Sequence, residues 1–168
     1  MAHKKNYHAL GIMNGTSIDA VDYCLISSDP NLKSLKFKKH KQYPIPTKLK
    51  KKLLAAASNQ LTTYDLSLLH YELGELYGKH VAQLKKAWKW DVIGVHGQTI
   101  YHQGRKATCQ SCHPFFIAYQ TEKPVLYDFR GNDIALGGEG APFAPFFQKV
   151  LAHNLKIKNW IFHNLGRI

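Results

Sequence analysis

The sequence of 168 residues has little that would mark an exported or membrane-spanning protein. It contains only three cysteines, Cys24, Cys109 and Cys112, and an odd, small number does not suggest a disulfide framework. No apolar run approaches the roughly 18 residues that a transmembrane helix needs. The basic start of the chain is not followed by the apolar stretch of a signal peptide. We therefore expect a cytoplasmic location, reduced thiols and no membrane partner.

Acidic residues are also scarce, because 11 Asp and Glu face 23 Lys and Arg and leave a net charge of +12. Much of this excess lies in two lysine clusters: Lys33, Lys36, Lys38, Lys39 and Lys41, followed by Lys48, Lys50, Lys51 and Lys52. A basic balance raises the expectation of nucleic acid or another polyanion. However, the clusters fall on a predicted edge strand and a predicted exposed helix face, where lysine discourages aggregation. We interpret them as solvated surfaces and not as a nucleic-acid site.

The apolar pattern of the first 60 residues predicts three strands and a short helix. The strands span residues 7–13, 21–27 and 34–43, and the tight turns between them predict an antiparallel meander. In the first turn, Gly15 is able to take a positive φ. Thr47 is expected to cap the short helix, with Leu49, Leu53, Ala56 and Ala57 on one face.

The remaining residues alternate between helical and strand patterns. Residues 62–65, Thr-Thr-Tyr-Asp, resemble a capping box and open a long helix, in which Leu66, Leu69, Leu73, Leu76, Tyr77 and Leu84 recur at helical spacing. Strands are predicted at 92–95, 125–129 and 160–162, helices at 114–121 and 146–155, and a glycine-rich turn at 137–142. This order indicates an α/β fold: a mixed sheet that starts as an antiparallel meander and has flanking helices.

The first candidate site is the segment between the first two predicted strands, residues 13–22. Its Gly-Thr-Ser turn brings backbone N–H groups and two hydroxyls into one concavity, which suits an anion such as phosphate. Asp19 and Asp22 could bind Mg²⁺, usually through water. The segment lacks lysine and precedes a strand, so it is not a Walker loop. An ordinary hairpin turn is the alternative interpretation.

Two further candidates lie at predicted strand ends, where ligands sit in α/β sheets. The first is residues 96–99, His-Gly-Gln-Thr, in which Gln98 and Thr99 can hydrogen-bond sugar hydroxyls. His96 either orients a ligand or caps the strand. The second is Asp128-Phe129-Arg130, whose two charged side chains either bind a polar ligand or neutralise each other.

Residues 109–113, Cys-Gln-Ser-Cys-His, match the attachment pattern of c-type haem. The sequence argues against haem, because no export signal is visible and the only methionines are Met1 and Met13. A zinc site would need two more ligands, for which His102 and His113 are available. We expect a loop or strand with incidental thiols.

Five segments, taken in order, resemble the anhydro-N-acetylmuramic acid kinase family. Residues 12–19 resemble its opening, written M-S-G-T-S-L-D-G, and residues 95–99 resemble S-H-G-Q-T. Residues 123–130 resemble I-P-V-V-x-D-F-R, and residues 137–145 resemble G-G-Q-G-A-P-L-V-P. Residues 164–168 are similar to the start of N-I-G-G-I-A-N.

The resemblance implies one lobe of the actin-like, ribonuclease H-like kinase fold, with the chain as the amino-terminal lobe and a second lobe missing. It implies that water opens the 1,6-anhydro ring of the sugar while ATP phosphorylates the 6-hydroxyl, a step of peptidoglycan recycling and amino sugar metabolism. The phosphate hairpin would comprise Gly15, Thr16, Ser17, Ile18, Asp19, Ala20, Val21 and Asp22, with Asp19 as the Mg²⁺ ligand. Residues near the sugar would be His96, Gln98, Thr99, Asp128 and Arg130.

The departures from the family pattern bear on activity. Asn14 stands where the family has Ser, Ala20 where it usually has Gly, and Cys112-His113 where it usually has Gly-Asp. Ala20 would either restrict a backbone that needs a positive φ or crowd a phosphate. The catalytic aspartate is expected beyond the chain end, so we expect the chain alone to be inactive. A non-catalytic paralogue that binds sugar or another subunit is the alternative, and a homodimer is left open.

Overall fold

A computed structural model describes residues 6–162 of the chain. Its strands are β1 (Tyr7–Asn14), β2 (Ala20–Ser28), β3 (Lys36–Pro44), β4 (Val92–Val95), β5 (Gln98–Gln103), β6 (Ala107–Ser111) and β7 (Val125–Leu126). Its helices are α1 (Thr47–Ala57), α2 (Thr63–Leu84), α3 (Phe115–Thr121), α4 (Phe129–Ala135) and α5 (Ala144–Asn154). Within this range, no helix combines the length and apolar character needed to cross a membrane. The resemblance at residues 164–168 lies outside the described residues.

Five strands form one mixed sheet in the order β3-β2-β1-β4-β7. The strands β1, β2 and β3 pair antiparallel, as the meander prediction requires. The strands β4 and β7 extend the sheet in parallel, with β4 beside β1 and β7 beside β4. The predicted α/β class with a mixed sheet is therefore confirmed, and it is consistent with a sugar-kinase lobe.

The core lies on one face of the sheet, because side chains of alternating strand positions are buried together with one face of α1 and α2. The fully buried side chains include Leu10, Ile12, Val21, Tyr23, Leu53, Leu69, Leu73, Tyr77, Val81 and Ile93. Each such aliphatic side chain contributes roughly 1.5–3 kcal/mol when it leaves water. By contrast, β3 is exposed along almost its whole length, as expected for a lysine-rich edge strand.

The long helix α2 begins as the sequence predicts, because the Thr62 hydroxyl accepts a hydrogen bond from the Asp65 N–H at 3.1 Å. Gly74, near the middle of α2, packs against the segment that leads into α3. A Cβ at Gly74 would lie 2.5 Å from the carbonyl oxygen of His113 and 2.8 Å from the Phe116 ring. The glycine therefore permits a close approach of α3 that no larger residue allows.

The structure corrects several local predictions. The turn after β1 places Ile18 rather than Gly15 in the left-handed region, with φ of 53°. Thr47 is the first residue of α1 and makes no capping hydrogen bond. The predicted strand at 125–129 stops at Leu126, because Asp128 starts the helix α4. Residues 160–162 form no strand. The hairpin of β5 and β6 and the helix α4 were not predicted at all.

A buried histidine of α2 lies under the meander. The ring of His80 stacks on Tyr43, with 4.2 Å between the centroids, and its Nδ1 lies 2.9 Å from the Tyr23 hydroxyl. Because the hydroxyl can donate to a neutral imidazole, this contact favours the unprotonated ring. Burial lowers the pKa of His80 from 6.5 to about 4.

This histidine makes the stability of the fold sensitive to acid. The unfolded chain takes up a proton at His80 below its ordinary pKa, whereas the folded chain does so only near pH 4, so acid favours unfolding. Between about pH 7.5 and about pH 5, the free energy of unfolding should fall by roughly 2 kcal/mol from this residue alone. Urea titrations at both pH values measure the fall.

The variant His80→Asn is the test of the cause, because its Oδ1 can accept from the Tyr23 hydroxyl without titrating. We expect a smaller fall in His80→Asn than in the parent chain. The same change at the exposed His153 of α5 is the control and should leave the fall intact. An equal fall in parent and His80→Asn would assign the acid sensitivity to other groups.

Candidate functional site

The site lies at the edge of the sheet where three neighbouring parallel strands end. The strands β1, β4 and β7 run in the same direction, so Asn14, Val95 and Leu126 mark the same edge. The turn after β1, His96 after β4 and Asp128 after β7 consequently emerge together. Ligands bind at this edge in open α/β sheets, which is the arrangement expected from the sequence.

The turn after β1 is tight and exposed. The Ile18 N–H donates to the Gly15 carbonyl at 3.1 Å, and the buried Ile18 side chain anchors the turn in the core. Gly15, Thr16 and Ser17 are exposed. A Cβ at Gly15 would have only the Ser17 hydroxyl nearby, at 3.9 Å, so the space beside this glycine is open. An anion could approach the backbone there.

The two acidic residues of the turn segment, Asp19 and Asp22, each have hydrogen-bond partners on neighbouring elements. The carboxylate of Asp19 is exposed and accepts from Nζ of Lys50. Asp22 lies on β2, where its Oδ1 is 2.8 Å from Nε2 of His40 and accepts from the Gln42 amide at 2.7 Å. Asp19 therefore stands at the turn and Asp22 along the strand. Ala20 and Val21 belong to β2, and Ala20 has no positive φ, so its replacement of glycine restricts nothing.

Gln98 is held inside the protein by a chain of three polar side chains. The Tyr77 hydroxyl of α2 donates to Oδ1 of Asn14 at 2.6 Å, and Nδ2 of Asn14 donates to Oε1 of Gln98. All three residues are buried. The Gln98 amide also donates to the Thr99 carbonyl at 3.3 Å. Asn14 thus joins the end of β1 to the start of β5 and to α2.

His96 and Arg130 form a hydrogen-bonded pair at the same edge. Because a guanidinium only donates, Nε2 of His96 must accept from Nε of Arg130, at 2.9 Å. The other ring nitrogen, Nδ1, then carries the proton and donates to the Gly97 carbonyl at 2.9 Å. Burial lowers the pKa of His96, and the charge of Arg130 lowers it further. The pair therefore presents a neutral imidazole and a cation.

Gly97 fixes the course of the loop after β4. Its φ is 74°, in the left-handed region, and a Cβ would lie 3.0 Å from the Ser111 carbonyl oxygen and 3.2 Å from Cβ of Cys112. A side chain at this position would be strained in backbone conformation and in contact distance. Glycine therefore lets β5 start directly after β4 and lets β6 pack against the loop.

Asp128 adopts a left-handed conformation, with φ of 55°, and caps α4 by accepting from the Gly131 N–H at 3.1 Å. Such a conformation costs about 1 kcal/mol or more for a residue other than glycine, although aspartate tolerates it better than most. The cap is local: a Cβ at Gly131 would lie 2.5 Å from the Asp128 carboxylate. Asp128 remains exposed.

A cavity of about 290 Å³ lies between His96 and Asp128. Its lining comprises His70, Val95, His96, Gly97, Thr108, Cys109, Gln110, Cys112, Pro114, Tyr127 and Asp128. The volume is near the lower end of ligand pockets, about 300–1,000 Å³. Of the sugar-side residues predicted from sequence, His96 and Asp128 line the cavity and Arg130 contacts His96. Gln98 and Thr99 do not line it.

The strand β6 contributes cavity residues that sequence reasoning missed. Gln110 lines the cavity, and its buried Oε1 has no hydrogen-bond partner among the described residues. Its amide donates to Thr108 at 2.6 Å. A buried acceptor without a partner is costly, and a ligand hydroxyl could satisfy it. The available signal was the family pattern T-L-Q-I-G-D, which residues 108–113 resemble and in which Thr108 and Gln110 match.

The thiols beside this cavity are poor metal ligands. Cys24, Cys109 and Cys112 are free. Burial raises the pKa of Cys112 to about 12 and also raises that of Cys109, where the Asp128 carboxylate adds to the effect. Zinc binds thiolates, and these shifts in pKa disfavour the thiolate form. In residues 6–162, no group of three His, Cys, Asp or Glu is placed to hold a metal ion.

Comparison with known proteins relates the sequence to one family. The model of the anhydro-N-acetylmuramic acid kinase family matches residues 7–168. The anhydro-N-acetylmuramic acid kinase of Vibrio cholerae is 39% identical over 163 residues, which are 91% of this chain and 43% of that protein. The protein of the same name from Bacillus cereus strain G9842 is 31% identical over 175 residues, covering 94% of this chain and 45% of its own length.

These relatives are more than twice as long as the part they share with this chain. The similarity nevertheless spans the turn after β1, the loop after β4, the start of α4 and the glycine-rich segment 137–145, and the first three of these lie at the same edge of the sheet. The chain spans less than half the length of the curated relatives it matches. It belongs to the anhydro-N-acetylmuramic acid kinase family.

Proposed function

We propose that this chain forms the phosphate-binding and sugar-binding lobe of an ATP-dependent kinase that acts on anhydro-N-acetylmuramic acid. The observation that carries the proposal is the convergence of three strand ends on one edge, which brings an exposed Gly-Thr-Ser turn and a cavity of about 290 Å³ to the same end of the sheet. Family membership supplies the reaction class and the names of the substrates. The cytoplasmic location and the homodimer stay predictions.

The turn after β1 would bind the phosphates of ATP. Gly15 leaves its backbone open, and Thr16 and Ser17 add two hydroxyls. Mg²⁺ usually takes one or two carboxylates together with phosphate oxygens and waters. Asp19 fits that requirement, because it is exposed and its bond to Lys50 can exchange. The ion would neutralise charge on the phosphates, and the amides of the turn would orient them.

The cavity would hold the sugar. His96 and Asp128 line the cavity and the Arg130 cation contacts His96, so a carboxylate and a cation lie close to a polyhydroxylated ligand. Gln110 adds a polar side chain to the cavity lining. Gln98 and Thr99, which were expected from the sequence to contact the sugar, do not line the cavity, so in this proposal they support the loop and do not bind the ligand.

The ATP site is tested with Gly15→Ala. The new methyl group meets nothing closer than 3.9 Å, so we expect the free energy of unfolding to change by less than about 1 kcal/mol. A phosphate approaching the turn would meet the methyl group, and we expect ATP–Mg²⁺ affinity to fall about tenfold. Isothermal titration calorimetry measures the affinity, and urea titration measures stability.

The matched control is Gly11→Ala, on the exposed side of β1. A Cβ there would be 3.8 Å from the Cys24 carbonyl, so the steric situation resembles that of Gly15 away from the turn. We expect Gly11→Ala to bind ATP like the parent chain. Equal affinities in all three proteins would exclude the turn as the phosphate site.

The sugar site is tested with Asp128→Asn. Asparagine tolerates the left-handed conformation and caps helices, so the fold should be preserved while the carboxylate is lost. We expect the affinity for anhydro-N-acetylmuramic acid to fall about tenfold, as measured by NMR titration. Asp29→Asn is the control, because that carboxylate also accepts from backbone N–H groups but lies in the β2–β3 loop. A loss of affinity in both variants would contradict the assignment.

The polypeptide of 168 residues should bind these ligands without turnover. The resemblance places the aspartate that activates water after residue 168, and no cleft closes around ATP with one lobe. A coupled assay of ADP release with both substrates measures turnover. Sugar-dependent release well above the rate without protein would contradict this prediction. Binding without turnover would also fit a non-catalytic sugar-binding relative, which the departure at Cys112-His113 favours.

A further inference from the structure

The two loops of the site are joined by side chains beyond the point where the strands stop pairing. The last pair of the β1–β4 ladder is Ile12 with Val95, and the His96 N–H donates to the Ile12 carbonyl at 3.0 Å. Beyond this pair, two residues after Ile12 and three after Val95, Asn14 donates to Gln98. Asn14 directly precedes the turn of Gly15, and Gln98 follows Gly97 in the loop of His96. One side-chain contact therefore connects the phosphate turn to the sugar side.

This contact is anchored from outside the two loops. Tyr77 belongs to α2, and its hydroxyl donates a hydrogen bond of 2.6 Å to Oδ1 of Asn14. Tyr77 is fully buried, whereas Asn14 and Gln98 are 3% and 2% exposed. In surroundings of low dielectric constant, such hydrogen bonds are strong and an unpaired member is costly. The amide of Asn14 can satisfy both neighbours only in one orientation, so the three groups define one relative position of the two loops.

We propose that Tyr77, Asn14 and Gln98 act as a positioning unit, which fixes the phosphate turn (residues 15–18) relative to the sugar-side loop (residues 96–99). In this unit Gln98 is a positioning residue and does not contact the sugar directly. The assignment to ligand binding rests on the proposed function, whereas the geometric coupling of the loops does not. Through this unit, a ligand that shifts one loop changes the position of the other. None of the three side chains lines the cavity, which agrees with an indirect role.

The test compares two tyrosine-to-phenylalanine changes that remove one buried hydroxyl each. Tyr77→Phe leaves Oδ1 of Asn14 without its donor. Tyr23→Phe is the matched control: Tyr23 is also fully buried, and its hydroxyl contacts His80, which belongs to neither loop. Both variants should lose comparable stability, so a difference between them in the loops does not reflect weaker folding. Gln98→Met breaks the other arm of the unit and provides a second variant.

The first measurement uses the chain of 168 residues without ligand. Backbone amide chemical shifts of residues 15–18 and 96–99 are compared by NMR. We expect Tyr77→Phe and Gln98→Met to shift both loops, and Tyr23→Phe to shift neither. Shifts confined to one loop in both Tyr77→Phe and Gln98→Met, or equal shifts in the Tyr23→Phe control, would overturn the positioning unit.

The second measurement adds ATP–Mg²⁺ or anhydro-N-acetylmuramic acid. In the parent and in Tyr23→Phe, each ligand should shift the amides of both loops. In Tyr77→Phe, the response of the remote loop should disappear and the affinity for ATP should fall about tenfold. No response to either ligand in the parent chain would contradict the proposed function, and the first measurement would still decide the positioning unit.

Discussion

The parallel pairing of β4 with β1 is the constraint on which the site depends. Because β1 is paired on one side with the antiparallel β2 and on the other with the parallel β4, its carboxyl end lies directly beside that of β4, which in turn neighbours that of β7. The connection that makes this possible is long: α1 and α2 lie between β3 and β4, and parallel strands require such a crossover. The same helices cover the core face of the sheet, so one connection sets both the fold and the site.

Polar groups at the base of the site are satisfied inside the protein, whereas one buried acceptor of a cavity-lining residue has no partner among the described residues. Asn14, Gln98 and Tyr77 bond to each other in the core, and burial of such groups is tolerable only with partners. Gln110 lines the cavity, and its side-chain oxygen Oε1 is buried without a partner in the described part of the chain. The contrast separates residues that position the loops from residues that can still contact a ligand, a distinction that spacing along the sequence does not make.

The sequence predicted the elements whose signals are local and missed those that depend on distant partners. The meander, the cap at Thr62 and the helical spacing of α2 were all predicted, because each follows from neighbouring residues. The hairpin of β5 and β6 was missed, since its strands have irregular burial and a shifted register between Thr99 and Tyr101. The sequence indicated the segments 13–22, 96–99 and 128–130 as candidate sites. It did not indicate that the Gln98 side chain points inward, because that direction depends on Asn14 and on Tyr77 of α2, about 20 residues earlier along the chain.

The conformation of Asp128 shows how local sequence and function meet at the end of β7. A strand two residues long leads into a left-handed aspartate, and Gly131 is required because a Cβ there would overlap the carboxylate. Residues 128–131, Asp-Phe-Arg-Gly, therefore account for the turn locally: the aspartate caps the helix, and the glycine leaves space for the capping carboxylate. Its strained backbone places Asp128 at the cavity and lets Arg130, one half-turn into α4, reach back to His96. A strand continued in the same register would instead place Asp128 level with His96 and Arg130 two residues beyond it, so the guanidinium would no longer lie beside the histidine.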